Sequence, residues 1–353
     1  GRGNPNWIAT EPRDAFFLLG QFAMKEARRV RDDAILAGMP AKKGCADRLR
    51  KFLSKHKGED GYDFLVGVLE YGVKIKSFDP DEWIHELTDS IIGDNYPVPP
   101  RALVHIEQIV HDYLVKEMCD GRPPKGKFDL FPVEGGTAAM CYIFDSLMQN
   151  GLLKQGDTIA LFLPTFTPYI EIAHLERFQF KIVAINASSL RADGTHDWHY
   201  PATEIAKLEN PKIKLAVTVN PSNPPSVAFS PVEMKQIVRL IRKNPDLVLV
   251  TDDVYGTFVP NFRSLMAEVP HNTICVYSFS KNFGCTGWRL GVIAIHEKNT
   301  MDRRIAELPA SWKQRLNKRY GAMTMEPEKL KFIDRMVADS RNVALNHTAG
   351  LSL

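Results

Sequence analysis

Apolar and polar positions give this chain two textures. From about residue 15 to 90, apolar residues recur at helical spacing among many charges, broken by turns at KKG and HKGEDG. The preceding GRGNPNWIATEPRD reads as an extended arm, with Thr10 and Pro12 opening a helix that carries Phe16, Phe17, Leu19 and Phe22. A turn-rich linker, GDNYPVPPR at 93–101, leads to an amphipathic helix with Leu103, Ile106, Val110, Tyr113 and Leu114 on one face.

After GRPPKGK the texture changes. Short apolar runs now alternate with helical segments: FDLFPV, TIALFLP, FKIVAI, IKLAVTV, LVLVTDD, TICVYSFS and LGVIAI. Runs that are apolar on both faces and separated by helices predict an α/β fold, a mostly parallel seven-stranded sheet flanked by helices. Ser230, Pro231 and Glu233 form a capping box with proline at the first helical position. The stripe that follows, Met234, Ile237, Val238 and Ile241, ends near Asn244 and Pro245. Residues 300–345 return to charged helix. The expected division is therefore 1–92 for arm and helical insertion, 93–299 for the α/β domain, and 300–353 for a helical segment leading onward.

Composition narrows the function. Lys plus Arg number 45 and Asp plus Glu 42, a formal charge of +3 in 353 residues, with both signs interspersed. No basic stripe marks a nucleic-acid or membrane-surface partner, and no run of about 18 apolar residues can span a bilayer. The five cysteines, Cys45, Cys119, Cys141, Cys275 and Cys285, include no CxxC pair. They read as reduced thiols in a cytoplasmic protein, with neither a disulfide framework nor a zinc site. His196 and His199 are spaced like metal ligands, but no third ligand motif accompanies them, so they read as loop residues. The chain opens at Gly1 without methionine and stops at NHTAGLSL after a helical stretch, so both ends are expected to be cut.

In open α/β sheets ligands collect at the carboxyl ends of strands. After FDLFPV, Gly135, Gly136 and Thr137 open a helix whose free N–H groups suit a phosphate, although a Gly-Gly pair is also an ordinary turn. After IKLAVTV, NPSNPPS offers the side-chain amide of Asn223. After LVLVT, Asp252 and Asp253 precede Tyr255; a helix cap, a solvated surface charge and a core aromatic are their plain readings. After TICVY, SFSKNFGCTGWRLG sets Ser278, Ser280, Lys281 and Arg289 in an apolar, glycine-rich stretch, where a lysine has little reason to be unless it is used.

The order GGT, LPTFTPY, NPSNPPS, DDVY and SFSKNFGCTGWRLG, over about 93–299, resembles the large domain of the class I and II aminotransferases, pyridoxal-phosphate enzymes of the aspartate aminotransferase fold. The resemblance implies pyridoxal 5′-phosphate as cofactor. It implies that Lys281 is buried near cationic groups, bonds the cofactor and acts as base at the substrate Cα. Asp252 then faces the ring nitrogen and keeps it protonated, which makes the ring an electron sink. Tyr255 and Asn223 donate to the phenolate oxygen, and Phe166 stacks on the ring, with a packed core phenylalanine as the alternative. Gly135, Gly136, Thr137, Ser278 and Arg289 hold the phosphate, with Ser280 a further candidate. Tyr96 in NYPVPP matches a tyrosine that reaches the neighbouring subunit's phosphate, which implies a homodimer or a larger homo-oligomer.

GRGNPNW, the helical insertion, TDDVYGTFV and ALNHTAGLSL together resemble the aspartate 4-decarboxylase branch of these enzymes, which also transaminates aspartate. That branch implies conversion of L-aspartate to L-alanine and CO2, with 2-oxo acid exchange as a side activity. A dicarboxylate requires two cationic or multi-donor sites. Arg2 is the candidate for one, with a solvated terminal arginine as its alternative, and Asn223 also touches substrate. The family's α-carboxylate arginine belongs to a C-terminal small domain, before which this sequence stops. Asn346, His347 and Thr348 fall where relatives place an interface loop. An aminotransferase without decarboxylation and a non-catalytic sensing module are the competing readings.

Overall fold

The computed structural model describes residues 14–26, 43–75, 78–92, 101–187 and 189–341. The chain forms two compact units, 1–106 and 107–353. Residues 300–341 share a unit with the sheet.

In the first unit, α1 is helical over 14–26, followed by α2 (Cys45–Leu53), α3 (Tyr62–Lys74), α4 (Pro80–Ile92) and the start of α5 (Val104–Met118). The stripe α1 buries is Ala15, Leu18, Leu19, Phe22 and Ala23, a helical i, i+3, i+4, i+7, i+8 set. Phe16 and Phe17 are more than half exposed, since the first and second positions after Ala15 turn away from the i, i+3, i+4 face. The turn before α3 needs glycine at 61, where φ is +80° and a Cβ would lie 2.1 Å from the Ala15 nitrogen.

In the second unit the elements after α5 are β1 (Phe128–Val133), α6 (Gly136–Gln149), β2 (Thr158–Leu163), α7 (Thr167–His174) and β3 (Lys181–Asn186). A two-residue pair follows, β4 (Ser189–Leu190) and β5 (His196–Asp197), then α8 (Ala202–Ile205), β6 (Ile213–Val219), α9 (Pro231–Lys243) and β7 (Val248–Asp252). The remainder is α10 (Leu265–Glu268), β8 (Thr273–Ser278), β9 (Gly291–His296), α11 (Thr300–Ala306), α12 (Ala310–Tyr320) and α13 (Phe332–Ser340).

All seven apolar runs are strands of one sheet, ordered β1-β9-β8-β7-β6-β2-β3. The pairs among β3, β2, β6, β7 and β8 are parallel, and β9 runs antiparallel to both β8 and β1. The period-2 alternation of strands separates two cores. Val248 and Val250 of β7 and Ile274 and Val276 of β8 pack with α6, α7 and the α11–α13 helices. Leu249 packs instead with α8 and α9, and Cys275 and Tyr277 with α5 and α10. Each fully buried Val, Ile or Leu contributes roughly 1.5–3 kcal/mol, so a sheet buried on both faces is held in register along its whole length. Helix α9 begins with the expected capping box, Ser230 accepting from the Glu233 N–H and Glu233 accepting from the Ser230 N–H.

His196 lies in β5 rather than in a loop. His199 Nδ1 stands 2.9 Å from Glu233 Oε2, beside the start of α9. Among the described residues there is no cluster of three or more His, Cys, Asp or Glu that could hold a metal ion, and no helix is long and apolar enough to cross a membrane. All five cysteines are free thiols, and all but Cys285 are buried.

Candidate active site

The alternation that separates the cores also aims the strand-end side chains. Asp252 has the parity of Val248 and Val250, and Ser278 that of Ile274 and Val276. Both therefore face α6 at the carboxyl edge of the sheet, while Asp253 and Tyr277 face the opposite side.

Asp252 is buried and takes two hydrogen bonds. The Tyr169 hydroxyl donates to Oδ2, and the Val254 N–H donates to Oδ1 at 3.1 Å. Burial pushes the carboxyl above its ordinary value, and the two donors oppose that shift. Tyr169 is also fully buried, and burial raises its phenol well above the usual range, so it remains the donor. Its ring stands edge-on to Phe166, with centroids 5.4 Å apart. Tyr169 closes LPTFTPY, and its one signal in the sequence is a phenol one helical turn beyond Phe166.

Beside Asp252 lies the amino end of α6. A Cβ on Gly136 would sit 3.7 Å from Asp252 Oδ2 and 3.2 Å from the Tyr169 hydroxyl oxygen, and a Cβ on Gly135 would sit 2.8 Å from Arg289 Nη2. Gly135 also has φ +98°, a conformation that L side chains rarely adopt. Glycine is thus required there for both conformation and space. The Arg289 guanidinium donates to the Glu134 carbonyl at 3.0 Å and the Thr286 carbonyl at 3.2 Å, which fixes it over the helix start. Ser278 and Ser280 are buried, with the Ser278 hydroxyl donating to Ser280 Oγ at 3.0 Å. First-turn N–H groups, an arginine and two hydroxyls form a donor set with one acid a few ångströms away. This fits a dianionic phosphate attached to a cationic ring.

The other expected residues stand on loops leaving neighbouring strands. Phe166 precedes α7, Asn223 follows β6, Tyr255 follows β7 and Lys281 follows β8. A backbone bond from the Asn220 N–H to the Asp252 carbonyl, 2.9 Å, ties the end of β6 to that of β7. The expected burial of Lys281 is corrected: it is exposed, because the aromatic residues around it turn toward α5 and leave the lysine on the outer side of the turn. Tyr96, Arg2, Asn346, His347 and Thr348 lie outside the described residues.

Asp253 departs from its reading as a solvated surface charge and is fully buried. Its carboxylate accepts from the Thr251 hydroxyl at 2.7 Å, from the Ser264 hydroxyl, and from the Cys275 thiol at 3.5 Å. Burial nevertheless pushes its pKa up to about 7. Away from this edge, a cavity of about 520 Å³ lined by Leu208, Ile213, Lys243, Leu247 and Arg304 lies at the amino ends of β6 and β7, the edge where open sheets rarely place their chemistry.

A family model described as aminotransferase class I and II matches residues 133–337. The bifunctional aspartate aminotransferase and L-aspartate beta-decarboxylase of a Pseudomonas species is 48% identical over 355 aligned residues, covering 100% of this chain and 66% of that protein. The aspartate aminotransferase of Sulfurisphaera tokodaii is 26% identical over 45% of this chain and 39% of its own length. The chain therefore spans less than two thirds of either relative. Among solved structures, a tetra mutant of Thermus thermophilus aspartate aminotransferase superposes with a TM-score of 0.49 at 17% identity, over 75% of this chain and 65% of that one.

Proposed function

The chain belongs to the class I and II aminotransferases, and from that premise we propose that it binds pyridoxal 5′-phosphate at the carboxyl edge of the sheet and converts L-aspartate to L-alanine and CO2, with aspartate transamination to a 2-oxo acid as a side activity. The observation that carries this reading is the 48% identity, along the entire chain, to a protein named for both activities. The glycine cradle, Arg289 and Asp252 support the cofactor, since they pair a phosphate-type donor set with a buried acid.

When bound, the cofactor supplies a sink for the electrons released at the substrate Cα. Lys281 would bond the cofactor and move the Cα proton, and its exposure leaves the amine accessible. Asp252 would hold a proton on the ring nitrogen, a cationic partner that offsets the burial of its carboxylate. The N–H groups of Gly136 and Thr137, the Ser278 and Ser280 hydroxyls and the Arg289 guanidinium would hold the phosphate, with Gly135 giving them room. Asn223 and Tyr255 would donate to the ring oxygen, and Phe166 would offer an aromatic face. Arg2 is our candidate for one substrate carboxylate, and Tyr96 for a bond to a partner subunit's phosphate in a homodimer.

Incubation of the full-length protein with L-aspartate and pyridoxal phosphate tests the reading. We expect CO2 and alanine in equal amounts. Keto-acid exchange without CO2 would leave an aminotransferase only, and cofactor binding without turnover of any amino acid would leave a sensing module.

A further inference from the structure

The turn that carries Lys281 is held from one side by Tyr113, a residue of another element. Tyr113 of α5 lies 2.7 Å, oxygen to oxygen, from the Tyr277 hydroxyl at the end of β8. The Asn282 side-chain amide, one residue after the lysine, donates to the same Tyr113 oxygen at 3.3 Å. The Tyr113 ring also contacts the residues two before and two after Lys281. It stacks with Phe279 at 5.8 Å and 28°, and it meets Phe283 at 5.8 Å in a tilted arrangement. Phe279 in turn contacts Tyr277 edge-on at 5.2 Å and Phe283 at 5.8 Å.

Ser280 is buried and Phe279 packs on the core, but Asn282 and Phe283, on the far side of the lysine, are exposed, so burial of the turn's own side chains holds only its first half. Tyr113 can hold both halves, because its ring is packed against the core shared by α5, β8 and β9 and its oxygen meets groups on both sides of the turn. Burial pushes the Tyr113 phenol above its ordinary range, which keeps the proton that this bridge requires.

We propose that Tyr113 is a positioning residue for Lys281, fixing the turn 279–283 so that the lysine amine points to one place at the sheet edge. The proposal rests on the reading of Lys281 as the cofactor-bonding lysine. Its physical basis is that an amine must be held within a fraction of an ångström to react efficiently, and a long lysine side chain on an unanchored turn is not.

The test uses the full-length protein, with pyridoxal 5′-phosphate itself as the probe. Condensation joins the Lys281 amine to the cofactor aldehyde with loss of water, and borohydride then reduces the bond so that peptide mass mapping locates it. Three quantities are measured for wild type, Tyr113→Phe and Asn282→Ala: the rate of attachment at Lys281, the pH midpoint of the visible absorbance band, and the thermal midpoint. Tyr113→Phe keeps the ring and loses only the oxygen, and Asn282→Ala is an exposed change, so both variants should fold.

We expect attachment to slow by about tenfold in each variant, with a displaced pH midpoint. Wild-type attachment rates and pH midpoints in both variants would overturn the positioning role, even if the thermal midpoint fell, since a purely structural contact moves only the latter. Wild type with no attachment at Lys281 would overturn the functional reading as well, which separates the two failures.

Discussion

The hydroxyl of Tyr169 donates a hydrogen bond to Oδ2 of Asp252, and both side chains are buried behind the glycine cradle. The pair joins the first turn of α7, the helix that follows β2, to the carboxyl end of β7. With the phenol in place the carboxyl has two donors, and without it only the Val254 N–H remains.

Tyr169→Phe should therefore push the Asp252 carboxyl further up and weaken its hold on a protonated ring nitrogen. A hydrogen bond to a charged group is worth about 1.5–3 kcal/mol, so pyridoxal-phosphate affinity should fall by about tenfold or more. Absorbance titration of the cofactor checks this. Unchanged affinity would mean that the phenol serves packing alone.

Asp253 predicts a pH dependence of stability with a defined sign. Its folded pKa of about 7 exceeds the ordinary carboxyl value near 3.9, so between these values the folded state binds more protons than the unfolded state. Stability from this group is then greatest below about pH 4, is lost as the pH rises through about 7, and is flat above that. Asp253→Asn lacks the titration. Urea unfolding at pH 5, 6, 7 and 8 should show the difference between the proteins moving against wild type, by on the order of a few kcal/mol in total. A difference independent of pH would show Asp253 ionised throughout.

The two adjacent aspartates also show how far the sequence could be read. The seven apolar runs were legible as strands because a strand buried on both faces is apolar at every position, and the edge that collects polar groups followed from the strand ends. Which face each strand-end carboxylate takes depends on what covers the sheet. Asp253 is buried by Ser264 and Cys275, 11 and 22 residues further along the chain, and no local pattern announces that contact. Lys281 differs for the reverse reason. The family resemblance implies its burial, but the aromatic residues beside it pack on Tyr113, 169 residues before Asn282, and leave the lysine outside. In α1, a run of apolar residues could not say which of them meet the core. Tyr169 is not legible in the sequence because a fully buried phenol and a functional one have the same signature there.

Arg289 offers a test that separates the phosphate from the rest of the ligand. Its backbone is left-handed, at φ +53°, and its guanidinium is pinned by the Glu134 and Thr286 carbonyls while lying over Gly135. The planar fork can keep those bonds and still present donors to an anion at the start of α6, whereas a lysine ammonium on a flexible stem cannot do both. Arg289→Lys should thus weaken binding of pyridoxal 5′-phosphate by about tenfold or more. Pyridoxal, which lacks the phosphate, should bind wild type and variant alike. Competition of the two ligands for the borohydride-reducible site measures both affinities in one experiment. An equal loss for the two would mean that Arg289 acts by holding the 134–136 backbone in shape, and the phosphate would then rest on the α6 amide groups and the Ser278 and Ser280 hydroxyls.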